Sequence, residues 1–117
     1  MSTLNVSNIT DGTTTVGTSY VVNGSAKAWM YGQQDALTDS FGISTILDDG
    51  TGLCTLNLTS TMNYTVPVAS GICRSARVVL EYEGTHSASV VPLGARRTDS
   101  TGFQDSPFGV AIHGDLA

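Results

Sequence analysis

Cys54, Leu56 and Leu58 alternate with Thr55, Asn57 and Thr59 without a fault. A period of two marks a strand with one buried and one wet face. The same rhythm recurs along the chain. Ala26, Ala28 and Met30 alternate with Lys27, Trp29 and Tyr31, and Ala76, Val78, Leu80 and Tyr82 with Arg77, Val79, Glu81 and Glu83. Phe108, Val110 and Ile112 close the series. Phe41, Ile43, Ile46 and Leu47 fall out of phase between Ile43 and Ile46, which predicts a bulge or a change of strand. Tyr64, Val66 and Val68 keep the phase, but Pro67 confines that run to an edge strand or a bulge. Ser87–Leu93 and Gly94–Thr98 alternate less clearly.

Turn chemistry separates these runs. Asp48-Asp49-Gly50-Thr51-Gly52 is the clearest turn, because Asp and Gly accept the positive φ that tight hairpins need. Gln33–Thr38 is polar and reads as a loop. No stretch sustains a helical period, and no repeat of solenoid length is visible. Strands of about six residues between turn signals predict an all-β fold, an antiparallel β-sandwich or a partly open barrel. Residues 26–117 would form that domain. Residues 1–25 read differently. Leu4, Val6, Ile9 and Val16 are scattered in a Ser/Thr/Asn/Gly background, with a turn at Asp11-Gly12 and room for a short strand over Leu4, Val6 and Ile9. Such a segment cannot bury much area by itself. It is expected to be an extended amino-terminal arm that docks on another chain.

Composition narrows the function classes. The chain has 117 residues, which suits one domain. Hydrophobic residues make up 40%, enough for one modest core, but charged residues only 13%, so the surface is mostly hydroxyl and amide. The net charge is −5, and Arg96-Arg97 is the one basic pair. A nucleic-acid partner needs a positive footprint, and an anionic membrane surface needs the same; neither is expected. Met1–Thr10 lacks the charged and apolar regions of a cleaved signal, so synthesis in a cytoplasm without export is expected. The sequons at Asn5, Asn8, Asn23, Asn57 and Asn63 are then read as accidents of composition. Cys54 and Cys73 match no zinc or redox spacing. Cys54 shares the phase of Leu56 and Leu58, so a buried free thiol is expected, with a Cys54–Cys73 disulfide as the alternative.

No catalytic motif stands out. There is no G-x-S-x-G, Walker loop or H-E-x-x-H, and no enzyme activity, cofactor or metal is expected. His86 and His113 each lack a nearby carboxylate or second histidine at ligand spacing, and so read as structural or surface residues. Asp48 and Asp49 lack the acidic pattern of a calcium loop and read as turn residues. Trp29, Tyr31, Tyr64 and Tyr82 could stack on sugar rings, or pack in a core or subunit interface. Arg96 and Arg97, with Arg74 and Arg77, could grip an acidic neighbour or stand in solvent. The interface candidates are therefore Leu4, Val6, Ile9, Trp29, Tyr31, Arg96 and Arg97.

Several pieces occur in an order that resembles a compact β module of bacteriophage tail-fibre and other virion-surface proteins. They are AKAWMY (26–31), DSFGISTI (39–46), DDGTG (48–52), CTLNLTSTMN (54–63), Tyr64 and SPFGVAIHGD (106–115). The opening TLNVSNITDGTTTV also looks like the start of some fibre proteins. The resemblance implies a virion component on the particle exterior, often a homotrimer, partnered by major capsid or tail proteins. It supplies no catalytic residue. Fibre proteins are usually far longer and carry shaft repeats, which are missing here. A small capsid decoration (cement) protein or short appendage is therefore expected, and a receptor- or glycan-binding module of a tail fibre is the alternative.

Overall fold

The computed structural model describes residues 2–64 and 67–116. Ten strands and one short helix follow each other along the chain: β1 (Asn8–Thr10), β2 (Thr15–Gly17), α1 (Thr18–Gly24), β3 (Ala28–Gln33), β4 (Ala36–Phe41), β5 (Ile43–Gly50), β6 (Leu53–Leu58), β7 (Val68–Cys73), β8 (Val78–Tyr82), β9 (Val90–Arg97) and β10 (Phe108–His113). Two four-stranded antiparallel sheets, ordered β4-β3-β10-β7 and β5-β6-β9-β8, pack face to face as a sandwich. The sheets do not close into a barrel, and each keeps two edges.

The sandwich forms where period-two apolar positions from both sheets meet. Ala28 and Met30, with Phe108, Val110 and Ile112, point inward from one sheet; Cys54, Leu56, Val91, Leu93 and Ala95 face them from the other. Each large buried side chain contributes roughly 1.5–3 kcal/mol. Expected and observed strands coincide over Cys54–Leu58 and Phe108–His113. The phase break in Phe41–Leu47 is a register shift between Ile43 and Thr45. Asp48 and Asp49 extend β5, and the tight turn lies after them, with positive φ at Gly50 and Gly52.

Four expectations are corrected. Gln33–Thr38 is not a loop throughout: β4 begins at Ala36 and pairs with β3 across a bulge. Its exposed Thr38 and Asp39 disguise an edge strand that needs one wet face and one wet margin. Residues 90–97 form one strand rather than two segments. Pro92 lies inside it, yet its carbonyl accepts from Glu83 N just beyond the end of β8, so the missing Pro92 donor falls where no paired strand remains. A helix, α1, stands where none was expected; it has one exposed face after another and buries no residue. The strand expected over Leu4, Val6 and Ile9 is confined to Asn8–Thr10, paired with β2 around Asp11-Gly12. There, Asp11 Oδ1 accepts from Thr13 N and Thr14 N, which holds the Asp11 carboxyl below the ordinary aspartate range. Val66 lies outside the described residues.

The strands alternate in direction, so the loops collect at two poles. One pole carries the β3–β4, β5–β6 and β7–β8 turns and the β9–β10 connection. The other carries Gly42, the β6–β7 and β8–β9 loops, the end of β10 and the root of the arm. No described residue before Ala28 is buried. The radius of gyration, 16.4 Å, exceeds the value of about 13 Å expected for a compact chain of this length. The long dimension, 50 Å against 28 and 23 Å, reflects the arm.

Candidate interaction surfaces

The two outer faces of the sandwich carry different chemistry, although the β5-β6-β9-β8 face also exposes Leu47 and Val79, on its two edge strands. On the β5-β6-β9-β8 face, polar groups satisfy each other. Asn57 Nδ2 donates to Thr45 Oγ1 at 2.9 Å, and the Thr55 hydroxyl donates to Asp49. Arg96 donates through Nε to Glu81 and through Nη2 to Glu83 at 3.1 Å; Nη1 donates to the Thr101 carbonyl at 2.8 Å. Its guanidinium lies 4.4 Å from the Phe103 ring centroid, and that ring lies over Gly94. Arg96 thus acts as a clamp that fastens the β9–β10 connection to the sheet. Arg97 forms a two-point pair with Asp99, both bonds at 3.0 Å, which holds the Asp99 carboxyl below its usual range. Arg96 and Arg97 are engaged within their own chain, and Arg77, with a side chain 77% exposed, still pairs with Asp99 through Nη1 at 3.9 Å.

The β4-β3-β10-β7 face is apolar. Outward-pointing residues form cross-strand rows, with Phe41, Trp29, Ala111 and Ser70 in one and Asp39, Tyr31, Gly109 and Ile72 in the next. His113 and Val68 begin a third. Phe41, Val68 and Ile72 are 60%, 66% and 77% exposed, and Trp29 and Tyr31 about 40%. Antiparallel sheets with one solvated face ordinarily place polar residues there. Trp29 and Tyr31 therefore lie outside the core. Tyr64 is also exposed. Tyr82 instead secures a sheet margin. Its hydroxyl accepts from Ala69 N at 2.7 Å and donates to the Pro67 carbonyl at 2.6 Å, which caps part of the free β7 edge.

The arm is the second apolar surface. Leu4, Val6 and Ile9 are 84%, 40% and 44% exposed, and Val16, Tyr20, Val21 and Val22 join them. Asp11 is the one charged residue before Lys27.

At the pole opposite the arm, Gln33, Gln34, Asp35, Asp48 and Asp105 line a small polar recess. Asp105 accepts from Gly52 N at 2.6 Å and Asp48 from Gly50 N at 3.0 Å. Gln34 is buried; its Oε1 accepts from Ser106 N at 3.0 Å, while its Nε2 has no partner. Among the described residues no group of three His, Cys, Asp or Glu side chains is placed to hold a metal. His86 packs edge-on against Tyr82, ring centroids 4.5 Å apart. His113 is on the outer side of β10, as its phase predicts.

Cys54 and Cys73 are both buried and unbonded to each other. Burial, aided by the charges of Asp49 and Asp48, pushes the Cys54 thiol up to about 12. Burial raises the Cys73 thiol too, against a hydrogen bond with Ser106. Neither thiol is a nucleophile near neutrality. Native protein at pH 8 is expected to leave both unreacted toward a disulfide reagent, and both react after unfolding; fast labelling of either in native protein would contradict the burial. Because the folded-state value of Cys54 lies above that of the unfolded chain, its contribution is complete below about pH 9 and is lost as pH rises toward 12.

No protein-family model, curated protein or solved structure matches this chain.

Proposed function

We propose that this protein is a structural, non-catalytic subunit of the exterior of a bacteriophage particle, a small decoration protein or short appendage. The single observation that carries the reading is the arm, a Ser/Thr/Asn-rich segment that buries none of its described large apolar side chains and leaves the sandwich from one pole. A free chain gains nothing from holding such a surface in water; a docked one gains the burial. The resemblance of the β-strand pieces to virion-surface modules supports the particle class, and the two-pole shape supports the mode. The arm pole anchors, and the charged loop pole faces outward.

Co-sedimentation of full-length protein with particles of the phage whose genome encodes it tests this reading. Wild type is expected to band with the particles, and Val6→Asp/Ile9→Asp/Val21→Asp to remain at the top of the gradient. Particles that band without the wild-type chain would refute the reading. A second reading is favoured by Trp29 and Tyr31 standing beside Gly109 and Ala111: a flat aromatic platform suits stacking on a sugar ring. Retention on host envelopes that Trp29→Ala abolishes would decide for it.

A further inference from the structure

We propose that the apolar outer face of the β4-β3-β10-β7 sheet receives the amino-terminal arm of a second copy of this chain, so that copies join head to tail. This rests on the arm being a docking element, and it names the companion.

On this face Gly109 and Ala111 of β10 lie between Trp29 and Tyr31 of β3 and Ile72 of β7. Gly109 is the informative residue. A Cβ at Gly71 would stand 2.3 Å from the Gly109 carbonyl oxygen, and one at Gly32 would stand 2.2 Å from the Ala36 carbonyl oxygen, so the fold itself demands those glycines. A Cβ at Gly109 would meet its nearest neighbours at 3.7 and 3.9 Å, which is ordinary contact. The isolated chain therefore gives no reason for a glycine in the middle of its central strand, where glycine weakens a sheet. Close approach of another backbone supplies the reason.

The arm complements this face in chemistry and size. Both surfaces expose large apolar side chains and carry little charge, with Asp11 on the arm and Asp39, His113 and, at its margin, Lys27 on the face. Neither covers the other within one chain, since every residue from 2 to 16 and from 19 to 25 is exposed. An arm of this length falls within the roughly 20–30 residues that each side of a standard interface contributes. Phe41, Trp29 and Tyr31 alone offer on the order of 300 Å², under half of the roughly 800 Å² a standard interface takes from each partner, so Val68 and Ile72 must also be covered. An arm-to-face contact uses two different patches, so it is heterologous and either closes into a ring or extends as a fibre. A closed ring such as a trimer would occupy every arm, whereas an open row leaves its terminal arm free to anchor.

Complementation tests the idea with full-length chains. One variant charges the arm (Val6→Asp/Ile9→Asp/Val21→Asp) and the other charges the face (Trp29→Asp/Ile72→Asp); all five residues are exposed, and circular dichroism is expected to stay that of wild type. By light scattering, wild type is expected to be an oligomer and each variant alone a monomer of 12.2 kDa. Their equimolar mixture is expected to give a dimer that grows no further, because only one intact arm–face pair remains. A monomeric wild type, an oligomeric face variant or a mixture that stays monomeric would overturn the proposal. A wild type that bands with particles yet stays monomeric by light scattering removes this inference alone. Head-to-tail assembly without particle binding removes the virion reading instead.

Discussion

Phe108→Ala is expected to destabilise the sandwich by about 3–5 kcal/mol, enough to unfold much of the protein at 37 °C if its stability is near the lower end of the usual range of about 5–15 kcal/mol. Phe108 is the largest of the described side chains with no solvent exposure. It stands where β10 is paired on both sides, opposite Gly32 on β3 and Cys73 on β7. A side chain in that position cannot be replaced by movement of one strand, since both flanking strands hold β10 in register. The cavity therefore stays open, and the loss includes the missing contacts as well as the transfer term. Denaturant unfolding followed by tryptophan fluorescence measures it. Phe108→Leu, which keeps most of the volume, is expected to lose less than half as much. Equal losses for the two variants would show that shape, not volume, governs this site.

How much of this was legible depended on which strand carried the signal. β6 and β10 are central strands with one buried face, so their apolar residues recur every second position and announce themselves. β4 is an edge strand whose inward positions are Leu37 and Ser40, and a bulge shifts its phase; a polar run was all that remained to read. α1 has seven residues, two of them β-branched valines, and buries nothing, so neither propensity nor periodicity marks it. The apolar outer face was half legible. Alternation separated Trp29 and Tyr31 from Met30, but the residues that complete the surface, Phe41, Ile72 and Gly109, come from three other strands and meet only through register. Arg96 illustrates the same limit. Its type suggested an interface, whereas its partners Glu81 and Glu83 become neighbours only because β8 pairs with β9.

Gly42→Ala is the expected counterpart at the seam between the sheets. Gly42 is the one residue between β4 and β5, and there the chain leaves one sheet for the other. Its φ of +72° lies in the left-handed region, where a Cβ costs an ordinary residue about 1–2 kcal/mol. The added methyl would also stand 2.5 Å from the Lys27 carbonyl oxygen and 3.1 Å from Ala28 Cα. Those are backbone atoms at the start of β3, so relief requires moving a strand rather than turning a side chain. The Gly42 carbonyl also accepts from Thr59 N at 2.9 Å, which ties the corner to the end of β6. A shift that relieves the collision strains that bond. The total is expected to exceed about 2 kcal/mol. Gly50→Ala supplies the control. It also has a positive φ, +130°, but a Cβ there would meet nothing within 4 Å. If the two alanine variants lose the same stability, backbone conformation alone explains the effect; a markedly larger loss at Gly42 identifies the collision with β3 as its cause.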